Sequence, residues 1–329
     1  MAAEQESVLY EAFPRGLCAG VVKAVDESEA FIANVRAANP DATIYYVGTP
    51  AHNTHIIDRF RNNGTKFIDH ISEAEAGGYA IFGPHGSTDE DLAMAREKKI
   101  TFVDTECPLV TKVKEEIRER TARGVPTLYH GKGGHPETRA AISAGDVILF
   151  ETGEEAEKIA RSLKDSDPEL KLGYAGQTTH NADESSKIAE KIRDIVPDLE
   201  LPRTSDQCFA TRDRQQSLRD TLARGVEVQI VVGSPSSSNS KELRDIAKEK
   251  TPNVFFVDSA DELPIEDLKG FTRYGLTAGA SVEEDVIDNV RQKIVEAASI
   301  QAIEHVVSAD ESKMKFKHAP VQKPPYDRG

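Results

Sequence analysis

The chain has 329 residues, room for one large or two to three small domains with real hydrophobic cores. Apolar residues make up 38% and charged ones 29%, an ordinary soluble composition, and no apolar run approaches the roughly 20 residues of a membrane helix. A net charge of −15 argues against nucleic acid, and an anionic ligand would need local positive potential from histidines and helix N-termini.

The N-terminal MAAEQESVLYEAF lacks the basic-then-apolar pattern of a secretory signal, so the protein is expected to be cytoplasmic. Cys18 then opens AGVVKAVDESEAFIANV, predicted helical from its stripe of Val21, Val25 and Ile32. TIYYVG follows as a short strand, then the polar loop TPAHNTH around His52, the strand KFIDH, and YAIFGPHGS, whose turn carries His85. The same order then returns. Cys107 opens PLVTKVKEEIRERTA, with Pro108 well suited to a first helical position and Val110, Val113 and Ile117 in a stripe. PTLYHG leads into KGGHPE around His135, and VILFE and KLGYAGQTTH complete the second copy. Cys208 opens the third helix, FATRDRQQSLRDTLA, whose stripe rests only on Leu218 and Leu222. VQIVVG then leads to SPSSSNS around Asn239, followed by VFFVD and YGLTAGASV. The Lys/Pro-rich tail ending KFKHAPVQKPPYDRG is expected to be mobile and carries no assigned chemistry.

Alternating β and α elements at this density predict an α/β protein of three similar units with mostly parallel sheets. The expected limits are 1–107 with its N-terminal segment, 108–205 and 206–299, then a tail over 300–329. Binding loops lie at the carboxyl ends of parallel strands. Units around a pseudo-threefold axis would therefore turn their polar loops inward and bring the three cysteines to the centre. Three cysteines without a signal peptide make a poor disulfide framework. Buried apolar thiols and a zinc site are alternatives, although zinc sites usually show close cysteine pairs. A helix N-terminus stabilises a thiolate, which suits each cysteine to metal. Three thiolates are one short of the four that usually hold a cubane iron–sulfur cluster, which leaves an iron open to a substrate oxygen.

In order and spacing, PRGLCAGV, HN at 52–53, HG at 85–86, CPLVTKV, GHPE, QTT, CFAT, SSNS and TAGAS resemble the LytB/IspH family over roughly residues 12–290. These are the 4-hydroxy-3-methylbut-2-enyl diphosphate reductases of the methylerythritol phosphate route to isoprenoids. The resemblance implies a central [4Fe–4S] cluster on Cys18, Cys107 and Cys208, with ferredoxin or flavodoxin as electron donor. It implies reductive loss of an allylic hydroxyl to give isopentenyl and dimethylallyl diphosphates. It also implies that His52, His85 and His135 contact the diphosphate together with Ser237, Ser238, Asn239 and Ser281. Glu137 would be the acid of the proton path, with Thr178 holding it or the substrate hydroxyl and His135 close by.

Other histidines (His55, His70, His130, His305, His318) are expected on the surface or satisfied in the core. SPSSSNS alone would be a flexible turn, but between a strand and a helix it becomes an anion site. The sequence departs from the family pattern at Pro50–Ala51, Gly83–Pro84, His180, Gln207 and Asp213, which leaves room for a paralogue with another small anionic substrate or an altered cluster potential. A cluster-dependent dehydratase, which needs no external reductant, and a non-catalytic iron or redox sensor are competing classes. The intact Glu137–Thr178–histidine set argues against the sensor.

Overall fold

The structure, a computed structural model, describes residues 6–311 and 321–322. In chain order the first elements are β1 (Val8–Phe13), α1 (Ala19–Ala38), β2 (Ile44–Val47), α2 (Thr54–Asn62), β3 (Thr65–Ile68), β4 (Tyr79–Phe82), α3 (Asp89–Glu97) and β5 (Thr101–Asp104). Then come α4 (Pro108–Ala122), β6 (Thr127–His130), α5 (Pro136–Ser143), β7 (Val147–Phe150), α6 (Gly153–Ser166), β8 (Gly173–Gly176) and α7 (Ala182–Ile195). The last are α8 (Phe209–Leu222), β9 (Val228–Val232), α9 (Ser238–Lys248), β10 (Asn253–Val257), β11 (Arg273–Ala278), α10 (Glu284–Ala297), β12 (Ala302–Val307) and β13 (Val321–Gln322).

The strands form three sheets, in the orders β3-β2-β4-β5-β13, β7-β6-β8 and β10-β9-β11-β1-β12. Every pairing is parallel except that of β13 with β5. The expected α/β class with three mostly parallel sheets is what the chain adopts. Within each repeat the order is the same: second strand, first strand, third strand. The strand that leads into a cysteine adds on beyond the third. Thus β5, before Cys107, pairs with β4, and Glu200, before Cys208, makes a single bridge to Gly173 of β8.

By the same rule β1, before Cys18, pairs with β11 rather than with its own repeat, so residues read with the first unit complete the sheet of the third. The segment read as a tail also contributes, because β12 pairs with β1 along its whole length, from Val8↔Ala302 to Phe13↔Val307. Neither strand has a clear pattern by itself. VLYEAF and AIEHVV carry Glu11, Glu304 and His305 among their apolar residues, and parallel pairing over nearly 300 residues leaves no local trace. Residues 312–320 and 323–329 of the tail lie outside the described residues.

The chain divides into two compact units. One contains the sheet β10-β9-β11-β1-β12, residues 52–54 and helices α8, α9 and α10; the other contains the remaining two sheets. In the first unit, Val228, Ile230 and Val232 of β9 pack with Leu276, Ile287, Val290 and Ile294 on one side of the sheet. Val231 packs with Leu218, Leu243 and Ile246 on the other. Both faces are covered, which is why VQIVV is apolar or buried at every position. In the second unit Leu128 and Phe150 join the α6/α7 side, while Tyr129 and Ala175 pack with Val113, Ile117 and Ala141 of α4 and α5.

Candidate functional site

Each cysteine stands at the mouth of a helix: Cys18 before α1, Cys107 as the N-cap of α4, and Cys208 before α8. All three thiols are partly exposed. Each cysteine N–H donates to a carbonyl in the loop after a third strand. Cys18 reaches Ala280 (3.0 Å), Cys107 reaches Pro84 (3.1 Å) and Cys208 reaches Thr178 (3.0 Å). The repeat therefore holds its cysteines by one device, and the first cysteine is held by the last repeat. Among the described residues no three His, Cys, Asp or Glu side chains are gathered at metal-ligand spacing. The donor set itself fits a thiophilic metal: three accessible thiols, each facing the positive end of a helix dipole.

In the unit that carries Cys107 and Cys208, the GHPE motif caps a helix. His135 is the N-cap of α5 and its Nδ1 accepts the Glu137 N–H at 3.2 Å. That bond leaves Nδ1 unprotonated, so neutral His135 carries its proton on Nε2. The His85 ring lies edge-on to it with centroids 6.0 Å apart. Gly86 explains the HG pair. Its φ of +97° lies in the left-handed region, and a Cβ there would come within 2.8 Å of Ala140 Cβ and 2.9 Å of Val110 Cγ1.

Glu137 is 2% exposed. Its Oε1 accepts the Thr178 N–H at 2.8 Å and its Oε2 meets Thr178 Oγ1 at 3.1 Å. Burial pushes the carboxyl up to about 7, against the opposing pull of the Thr178 hydrogen bonds. Because Oε1 is committed to an amide donor, a proton on this carboxyl sits on Oε2, beside the threonine hydroxyl.

Sequence reasoning missed the other charges around this centre. Asp206, two residues before Cys208, accepts the Gly176 N–H at 3.1 Å and pairs with Lys112 at 3.0 Å. Burial raises it to about 6, and Lys112 works against that shift. Glu106, next to Cys107, pairs with Lys114 at 2.7 Å and accepts from Thr111 Oγ1 at 2.8 Å. Their position beside each cysteine was the one available signal.

Two of the departures from the family pattern are partners: Gln207 Nε2 donates to the His180 carbonyl at 3.3 Å. The His180 ring stacks on His130 at 4.1 Å, and His130 stacks on Phe150 at 5.2 Å. Burial, then the nearby His130 and His135, push His180 down to about 3, so it stays neutral. A third departure, Asp213, pairs with its neighbour Arg212.

The other unit gathers Cys18, His52, Ser237, Ser238, Asn239 and Ser281. Asn239 Oδ1 accepts the Ala280 N–H at 2.9 Å, while the Ala280 carbonyl takes Cys18. Ser281 Oγ donates to the His52 carbonyl at 3.3 Å, and Asn53 Nδ2 donates back to the Ser281 carbonyl at 2.7 Å. Ser237 caps α9, its hydroxyl accepting the Ser240 N–H at 3.3 Å. Burial first, then Lys241, hold His52 below its ordinary pKa. Hydroxyls, an amide and a helix N-terminus thus converge here, an arrangement suited to an anion.

A family model for LytB protein matches residues 9–295. The chain belongs to the LytB family. Among LytB relatives, a 4-hydroxy-3-methylbut-2-enyl diphosphate reductase from Vibrio parahaemolyticus is 31% identical, covering 91% of this chain and 93% of its own. One from Escherichia coli is 33% identical over 88% of this chain and 90% of its own. Two solved reductase structures share the fold. The Plasmodium falciparum E-1-hydroxy-2-methyl-but-2-enyl-4-diphosphate reductase superposes with a TM-score of 0.87 at 24% identity, over 95% of this chain and 96% of that one. A solved (E)-4-hydroxy-3-methyl-but-2-enyl diphosphate reductase gives 0.61 at 28% identity, over 88% and 99%. Strand β12 and everything after it lie beyond the LytB match.

Proposed function

We propose that the protein is a 4-hydroxy-3-methylbut-2-enyl diphosphate reductase, an oxidoreductase that removes the allylic hydroxyl of its substrate to give isopentenyl and dimethylallyl diphosphates. The observation that carries this reading is a buried, protonatable Glu137 held by Thr178, in a LytB chain whose relatives bear that name. Cys18, Cys107 and Cys208 would hold a [4Fe–4S] cluster. That group would supply the electrons, delivered by ferredoxin or flavodoxin, and a Lewis-acidic iron at its unligated position.

The protein's own residues have three tasks. His52, Ser237, Ser238, Asn239 and Ser281, with His85 and His135, bind the diphosphate. Imidazoles, hydroxyls and an amide donate hydrogen bonds there without the heavy desolvation cost of buried lysines. Glu137 delivers a proton from Oε2 to the departing hydroxyl, so that water leaves rather than hydroxide. Thr178 fixes that carboxyl through both its amide and its hydroxyl, and His135 Nε2 stands by as a donor. No helix among the described residues is long and apolar enough to cross a membrane, and we place the enzyme in the cytoplasm.

The test is anaerobic purification followed by electron paramagnetic resonance with and without the allylic diphosphate, and turnover with and without a reductant. A cluster signal that shifts with substrate and turnover that needs the reductant are expected. Turnover without reductant would make the protein a dehydratase.

A further inference from the structure

Among the described residues the largest fully buried side chain is a guanidinium. Arg214 on α8 is 0% exposed, and its contacts converge on the loop that carries Cys18. Nε and Nη2 both donate to the Gly16 carbonyl, at 3.1 and 2.8 Å, and Nη2 also approaches the Leu17 carbonyl at 3.4 Å. Nη1 donates to the Ala210 carbonyl at 2.9 Å. One turn along α8, Ser217 Oγ donates to the Pro14 carbonyl at 3.2 Å. The helix therefore holds the carbonyls of Pro14, Gly16 and Leu17, immediately before the cysteine.

Carbonyl dipoles alone do not neutralise a buried guanidinium. The full counter-charge comes from Glu311, whose Oε1 and Oε2 lie 2.8 and 3.0 Å from Nη1. Glu311 is delivered by the segment beyond the LytB match. Strand β12 runs beside β1, then the Ser308 N–H donates to the Phe13 carbonyl at 2.9 Å and Ser308 Oγ to Asp220 at 2.6 Å. Gly16 makes the loop dependent on this hold. Its φ is +67°, and a Cβ there would press on Ile287 Cδ1 and the Val282 carbonyl, both at 3.1 Å.

We infer that residues 302–311 are a C-terminal clasp that fixes the Cys18 loop through Glu311 and Arg214, and so sets how firmly Cys18 holds its metal. The clasp is a positioning device. Glu311 touches neither substrate nor cysteine; it keeps Arg214 oriented, and Arg214 keeps the loop carbonyls in place. The part concerning metal rests on the proposed function, whereas the part concerning the loop does not.

The experiment uses the full chain, reconstituted anaerobically, with Glu311→Gln as the variant that keeps shape but loses charge. Glu304→Gln, at an exposed site on β12, is the control. Three readouts are followed: iron release to a chelator, the resonance spectrum of the reduced cluster, and hydrogen exchange at the Leu17 and Cys18 amides. Glu311→Gln should release iron faster by on the order of tenfold, as outer partners of metal ligands usually do when cut, with an altered line shape and faster exchange at both amides. Glu311→Asp should restore part of each effect, and Glu304→Gln should match the parent. A Glu311→Gln protein that merely melts earlier, with iron release, spectrum and local exchange unchanged, would overturn the clasp. Should that variant fail to fold, Ser308→Ala loosens the same anchor and must give the same three changes in smaller measure; parental behaviour in it overturns the clasp equally. If the parent takes up no iron, the reductase reading fails, while the exchange arm still decides the clasp.

Discussion

At the scale of single residues, the proposed chemistry rests on a carboxyl that burial holds partly protonated near neutral pH. Glu137→Gln preserves the Thr178 contacts but has no proton to give, so ligand affinity should change little while turnover drops by roughly a hundred- to ten-thousand-fold. Measuring both on one preparation of known iron content separates the two effects, and a variant within a few-fold of the parent removes Glu137 from the proton path. The pH dependence follows from the same group. With the carboxyl raised to about 7, the acid form is lost as pH climbs through that value, so the parent's rate should fall on the alkaline side. The folded state holds this proton more tightly than the unfolded chain. Its stability contribution is therefore present at low pH and lost as pH rises through about 7, and Glu137→Gln should flatten that slope in denaturant titrations. The histidines answer to a different measurement. His52→Ala or His85→Ala should each weaken binding of inorganic diphosphate by about 1–3 kcal/mol for a lost charge-assisted hydrogen bond, with the cluster spectrum intact. Equal affinity in both variants would move the anion elsewhere.

At the scale of elements, one arrangement recurs: a segment paired beside the third strand, a cysteine, a helix, with the cysteine amide tied to the neighbouring third-strand loop. A serine at Cys18, Cys107 or Cys208 keeps that amide bond and the helix it opens. Such a variant should lose or destabilise iron while circular dichroism stays close to the parent, and full iron with full activity would show that the cysteine is no ligand. Much of this arrangement was legible in the sequence because its signals are local. Pro108 marks a helix start, VQIVV and TIYYV mark buried strands, and motif residues such as His52 and Ser237 sit in the loops that follow those strands. The strand preceding each cysteine was not legible. TFVD is four residues long, and VLYEAF finds its partners only through contacts from the far end of the chain. Arg214 and Asp206 escaped notice for a related reason. An arginine or aspartate in a polar stretch looks solvated until the fold buries it against carbonyls or a lysine.

At the scale of the whole chain, the parallel sheet β10-β9-β11-β1-β12 pairs two strands, β1 and β12, from opposite ends of the described sequence. The first strand is interior to it. On one side β1 pairs with β11, on the other with β12, and in the strand order β12 has β1 as its sheet neighbour. Its Leu9 is fully buried in the core shared with Leu276 and Ile287. Burying one such side chain stabilises the fold by about 1.5–3 kcal/mol, and β1 adds two ladders of backbone hydrogen bonds to that. Removing residues 1–13 should therefore release β12 as well, because a lone strand cannot pair across the gap to β11. Hydrogen exchange should then show lost protection in β12 and β11, together with the loop that holds Cys18. Protection in β2, β4, β6 and β8 should persist, since those strands pair within sheets that contain neither β1 nor β12. Undiminished protection of β12 in the shortened protein would mean that the C-terminal segment is held by contacts other than its pairing with β1, and the sheet would then be less dependent on its first strand than its topology requires.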